Sequence, residues 1–154
     1  MTQKLQESDI RAFVDSVCHF FQHSSGEMAD VRSAYLAEPS ELLQGYDFTG
    51  IVDVSGNWRG ALYFSAPGAM LDQLLRDAGV SAEPGYEQQL DLIGEIANMF
   101  SGRARKALGH ELEISVPRRC RGVAIRPSGV SRPYVIPLKW RGHAAQVVVD
   151  LQRV

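Results

Sequence analysis

The chain is poor in cysteine: Cys18 and Cys120 are the two present among 154 residues, and no C-x-x-C pair occurs. That excludes a disulfide framework and leaves two reduced thiols as the expectation. No apolar run approaches the 18 residues that a membrane-spanning helix needs, so no membrane partner is expected. The opening MTQKLQESDIRAF is polar, with neither an apolar signal core nor a small-residue cleavage site, which points to the cytoplasm. A basic excess is also missing: 16 Lys and Arg stand against 18 Asp and Glu, a net charge of -2, which argues against a nucleic-acid-gripping protein. There is no low-complexity tract, no linker, and no G-x-S-x-G, P-loop or G-x-G-x-x-G motif. What remains, 45% hydrophobic and 22% charged, has the composition and length of one folded domain spanning 1–154, long enough to bury its own core.

Periodicity gives an outline. Ile10, Phe13, Val14, Val17, Phe20 and Phe21 recur at helical spacing from about Ser8, the expected N-cap, to His23, and Ser24-Ser25-Gly26 stops the helix. Residues 28–36 read equally as a strand or an ordered connection. TGIVDVSG and NWRGALYFS flank a turn at Ser55-Gly56-Asn57 and predict a β-hairpin. Pro67-Gly68 opens a short helix that ends at Gly79, and a long helix is predicted from Tyr86 to Leu108, ending at Gly109. LEISVP, RGVAIRP, SRPYVIPLKW and AAQVVVDLQ read as strands, with turns at Pro127-Ser128-Gly129 and Arg141-Gly142-His143. Pro133 and Pro137 predict an edge or irregular strand. The class is α+β, an antiparallel sheet packed with about three helices, and the order of elements suggests two similar halves.

The long helix carries a second face. With Ala97 at the centre of the buried side, Leu90, Ile93, Phe100, Ala104 and Leu108 fall beside it. Asp91, Glu95, Asn98 and Gly102 line up opposite, flanked by Leu92 and Met99, which the arithmetic turns away from the core. A solvated helix face normally carries salt-bridging Lys, Glu and Arg. A stripe with two acids, an amide and a mid-helix glycine, which costs about 1 kcal/mol against Ala, reads as a docking surface with chemistry on it. Leu92 and Met99 supply its apolar contact area.

At these residues, D-x3-E-x2-N-x3-G, the chain resembles the CheC/CheX/FliY family of chemotaxis phosphatases, whose motif continues to a strand proline matched here by Pro117. FTGIVDVSGNWRGALYFS resembles the family's glycine-bearing hairpin, HELEISVP and RGVAI continue in the same order, and IRAFVDSVCHFF resembles a CheX-type first helix. That first helix lacks a second Glu/Asn pair, which favours the CheX branch over CheC. The resemblance covers nearly the whole chain and implies a CheC-like fold with pseudo-two-fold halves and a homodimer. It also implies hydrolysis of the aspartyl phosphate of a CheY-type response regulator. Glu95 would pair with the regulator's lysine, Asn98 would orient the attacking water, and Asp91, Leu92, Met99 and Gly102 would dock the partner. The Mg²⁺ would belong to the receiver, with no cofactor bound by this chain. The alternatives are a non-catalytic CheX-like adaptor that binds a receiver or another signalling protein, and a FliY-like flagellar-switch module.

His19 and His23 stand one turn apart beside Cys18, but no further ligands follow at metal spacing, so surface histidines are expected. Arg118, Arg119 and Arg121 form a short basic run read as a solvated strand end.

Overall fold

A computed structural model describes residues 5–39, 42–109, 111–122, 125 and 132–154. The apolar stripe of the first segment folds as α1, Glu7–Ser25, burying Ile10, Phe13, Val17 and Phe21. The helix is capped differently from the expectation at Ser8: it starts after Gln6, whose backbone N–H donates to the Asp9 carboxylate at 2.8 Å. An acid three residues beyond the cap can reach back over the orphan N–H groups. Gly26 closes the helix in the left-handed region (φ 76°).

Residues 28–36 hold two short strands, β1 (Asp30–Val31) and β2 (Tyr35–Leu36). The predicted hairpin is β3 (Phe48–Gly56) and β4 (Trp58–Ala66). α2 (Gly68–Asp77) follows, its first N–H donating to Asp47 at 2.8 Å. α3 runs Tyr86–Leu108 with Gly109 as its C-cap, the predicted bounds. β5 (Leu112–Ile114), β6 (Arg118–Arg121), β7 (Tyr134–Trp140) and β8 (His143–Arg153) complete the order. The strand expected in RGVAIRP falls earlier, at 118–121, while Ile125 makes an isolated bridge to Leu43. The turn expected at Pro127-Ser128-Gly129 lies outside the described residues. Arg141 and Gly142 form the last turn, both with positive φ, and His143 already belongs to β8.

The strands form one antiparallel sheet in the order β1-β7-β8-β4-β3-β5, with β2 also on β7 and β6 also on β3. β7 is thus flanked on both sides, not a bare edge. Its Pro137 nevertheless sits where the outer cover is interrupted, between the residues paired with β1 and those paired with β2. Its carbonyl accepts from Arg32, so the missing N–H faces that gap and costs no ladder bond. The helices lie on one face of the sheet over Val52, Phe64, Ile136 and Val147, with Phe64 and Phe100 edge to face at 5.4 Å. A smaller cluster, Ala37, Leu43, Ile125, Val135 and Val148, covers part of the other face.

α3 crosses β3 at Gly50. A Cβ built there would lie 2.5 Å from the Ile93 carbonyl oxygen and 2.9 Å from the Ala97 Cβ, closer than packed atoms approach. A side chain at this strand position would therefore lift the helix off the sheet. Gly50→Ala is expected to destabilise the chain by about 1–3 kcal/mol, as overpacking does. Gly102→Ala, with no atom within 4 Å of the new Cβ, is expected to stabilise it by up to about 1 kcal/mol. Chemical denaturation of both variants checks the pair.

Candidate functional site

Seating α3 through Gly50 and Ala97 turns Asp91, Glu95, Asn98 and Gly102 outward, and all four are exposed. Asp91, Gly94, Glu95 and Asn98 form one wall of an open cleft of about 590 Å³. The Glu95 carboxylate and the Asn98 amide, one turn apart, have no hydrogen-bond or ion-pair partner among the described residues. An acceptor-only carboxylate thus stands free beside an amide that can both donate and accept.

Ile114, Ser115, Val116, Pro117 and Arg119 form the opposite wall. Its shape comes from a slip in register along β3. β5 pairs from Gly56↔Leu112 to Val54↔Ile114, and β6 from Ile51↔Arg118 to Phe48↔Arg121. Two residues of β3, Val52 and Asp53, therefore oppose three, Ser115, Val116 and Pro117. This is a β-bulge, which bends a strand and re-aims its side chains. Ser115 pins it: its N–H donates to the Asp53 carbonyl at 2.9 Å, and its Oγ accepts from the Asp53 N–H at 2.9 Å. Val116 is pushed out to 85% exposure. Pro117, which has no N–H to leave unpaired, suits a bulge, and the structure places it on the cleft wall facing α3.

The bulge also sorts the arginines. An unbroken strand would place residues 118 and 120 on the helix face with Leu112 and Ile114. The extra residue puts Arg119 there, opposite Gly50, while Arg118 goes to the other face. Arg118 makes two hydrogen bonds to the Asp53 carboxylate, at 3.1 and 2.9 Å, which raise its pKa further. Arg119 crosses the cleft to an ion pair with Asp91. It can do so because residue 94 is glycine: a Cβ there would lie 2.9 Å from Arg119 Cδ and 3.0 Å from Cγ. Arg121 sits over the Tyr86 ring at 5.4 Å. The basic run is therefore three separate contacts, and the roles of Gly94 and Arg119 were missed in the sequence because pairing parity breaks at Pro117.

Leu92 and Met99 need correction. Both are half-buried and packed against the main core, not exposed on the stripe. α1 and α2 cover that flank of α3, where Ile96 is only 1% exposed, so the buried arc is wider on that side than a single sheet contact would make it. Leu92 instead lines a groove with Phe20, Leu74, Leu75, Ala78 and Val80, on the other side of Asp91 and Glu95 from the cleft. His19 and His23 stack on α1 at 5.8 Å. Burial, and then the charge of Asp15, push the neighbouring Cys18 thiol above its ordinary pKa, the direction of an unreactive cysteine.

Comparisons with known proteins agree on the fold. A family model described as chemotaxis phosphatase CheX matches residues 48–139, which hold the hairpin, α3, both cleft walls and most of β7. A CheC-like superfamily protein from Shewanella sp. PV-4 superposes with a TM-score of 0.83 at 19% identity, over 96% of this chain and 99% of that one. Chemotaxis protein CheX from Vibrio vulnificus gives 0.81 at 18% identity, over 94% and 99%. The CheX of a CheX–CheY–BeF3–Mg complex from Borrelia burgdorferi gives 0.73 at 14% identity, over 92% and 96%. The fold is CheC-like. No curated protein sequence matches the chain.

Since the Glu95 and Asn98 side chains are exposed and make no hydrogen bond or ion pair among the described residues, Glu95→Ala and Asn98→Ala should each leave stability within about 0.5 kcal/mol of the parent. Urea or thermal unfolding of the two variants measures this.

Proposed function

The chain belongs to the CheX family, and from that premise we propose that it hydrolyses the aspartyl phosphate of a CheY-type receiver domain. The observation that carries the reading is the free, exposed Glu95 and Asn98, one helical turn apart on a rigid helix at the edge of an open cleft. The Borrelia structure is of a CheX–CheY–BeF3–Mg complex, and a pairing with a CheY-type receiver is proposed for this chain.

An acyl phosphate is already activated. Water attacks phosphorus, the bond from phosphorus to the aspartyl oxygen breaks, the carboxylate leaves as the anion, and the water's proton passes to the phosphate or solvent. What a partner protein adds is a water held in line and a complex held in register. Asn98, with its amide oxygen accepting from the water, is the residue proposed to hold it. Glu95 is proposed to pair with the receiver's lysine and so set the helix against the receiver. Gly102 is exposed and a Cβ built there would meet nothing within 4 Å, so the surface is open for the receiver's backbone to approach α3. Asp91 is proposed to help dock the receiver, and in the free chain it holds Arg119. Mg²⁺ is the receiver's own ion in this scheme. The pairing and the chemistry would take place in the cytoplasm, where such regulators act.

A homodimer is part of the proposal. The sheet ends in strands of two to four residues, β1 and β2 on one side and β5 and β6 on the other, and pairing between copies closes such edges. Sedimentation at micromolar concentration should give twice the chain mass; a monomer mass would overturn this part.

Asn98→Ala should reduce single-turnover phosphate release by about 10²–10⁴ and leave binding to a BeF3-loaded receiver largely intact, because an amide that orients water acts in the transition state. Glu95→Ala should weaken both. Turnover at the parental rate in Asn98→Ala would remove the amide from the mechanism, and a parent chain that does not speed phosphate release beyond the receiver's own rate would be an adaptor.

A further inference from the structure

The cleft has a charge problem. Two carboxylates, Asp91 and Glu95, line it, and a phosphoryl group brought to it carries about two negative charges. Like charges at contact distance repel strongly once water is displaced. Among the described lining residues one cation can offset them, Arg119. It is not a loose surface side chain. Its backbone is paired to Gly50, its stem lies across Gly94, and its guanidinium is held by Asp91.

That hold is easily exchanged. Arg119 and Asp91 are 45% and 62% exposed, and ion pairs in such positions contribute little. A phosphoryl group offers the guanidinium two parallel hydrogen bonds and a larger charge. The other two arginines of the strand are engaged elsewhere, Arg118 by Asp53 on the far face and Arg121 over Tyr86.

We propose that Arg119 is the specificity-determining residue of the cleft: on docking it passes from Asp91 to the phosphoryl oxygens of the partner, and this transfer makes the chain prefer the phosphorylated receiver over the unphosphorylated one. The inference rests on the phosphatase reading above. Asp91 and Gly94 then have defined duties: Asp91 parks the guanidinium in the empty cleft, and Gly94 leaves the surface over which the stem lies.

The test uses the full chain and a receiver that it dephosphorylates, with binding measured to the receiver alone and to the receiver loaded with BeF3 and Mg²⁺. Arg119→Ala should lose roughly tenfold to a hundredfold in affinity for the loaded form, the scale of a charge-assisted hydrogen bond, and little for the unloaded form. KM should rise while single-turnover rate at saturation stays within a few-fold. Gly94→Ala should show the same loss of preference although Ala favours the helix, since its Cβ displaces the stem. Arg119→Lys should keep part of the preference, retaining the charge but not the fork. Arg118→Ala removes the same charge and should leave the preference unchanged. If Arg119→Ala keeps the parental ratio of affinities, or weakens both forms equally, the inference fails, even where Asn98→Ala abolishes turnover and so upholds the phosphatase reading. If the unmodified chain dephosphorylates no receiver, the phosphatase reading fails and this one with it.

Discussion

The distance between α3 and β3 governs the rest of the molecule. At Gly50 the strand presents no side chain, and the helix backbone comes down until the Ile93 carbonyl and the Ala97 methyl occupy the space that a Cβ would fill. That approach fixes the helix's height and, because Ala97 must face the strand, its rotation. From the rotation follow the burial of Ile93, Phe100 and Ala104 and the exposure of Glu95 and Asn98. A functional face on a helix is only as well placed as its buried face is well packed, and here the packing is set by the smallest possible residue.

The second wall of the cleft is positioned by other means. β5 and β6 both hang on the outer side of β3, and the three residues between them form the rim that faces α3. β3 therefore carries both walls, one through the side-chain packing of the helix and the other through backbone pairing. Two structures anchored to a common strand do not depend on the Arg119–Asp91 bridge alone for their separation.

Much of this was legible in the chain. The bounds of α3 were plain because Gly85 and Gly109 bracket an uninterrupted amphipathic pattern. The exposed stripe followed from the same periodicity. Leu92 and Met99 were misplaced because periodicity knows one buried face, whereas α3 has a sheet beneath it and helices on one flank. β6 was expected too late because RRCR has few strand formers, and its pairing is imposed by β3 rather than by its own residues. The contact between Arg119 and Asp91 joins residues 28 apart, and nothing local marks it; the bulge that permits it needs the register of two strands at once. Ser8 is the residue type that prefers a cap, yet the helix begins two residues before the position such a cap would give it, after Gln6, whose N–H donates to the Asp9 carboxylate.

The bulge makes the rim a loop in disguise. Because β5 and β6 hold their places on β3 independently, Ser115–Pro117 joins two fixed points, and a residue gained or lost between them would alter the height of the rim and leave both strands where they are. Chain separation between Asn98 and Pro117 is consequently a poor ruler for relatedness at this site. The number of residues there can change while β5 and β6 keep their register on β3, so spacing along the chain does not by itself measure the distance between Asn98 and Pro117 in space.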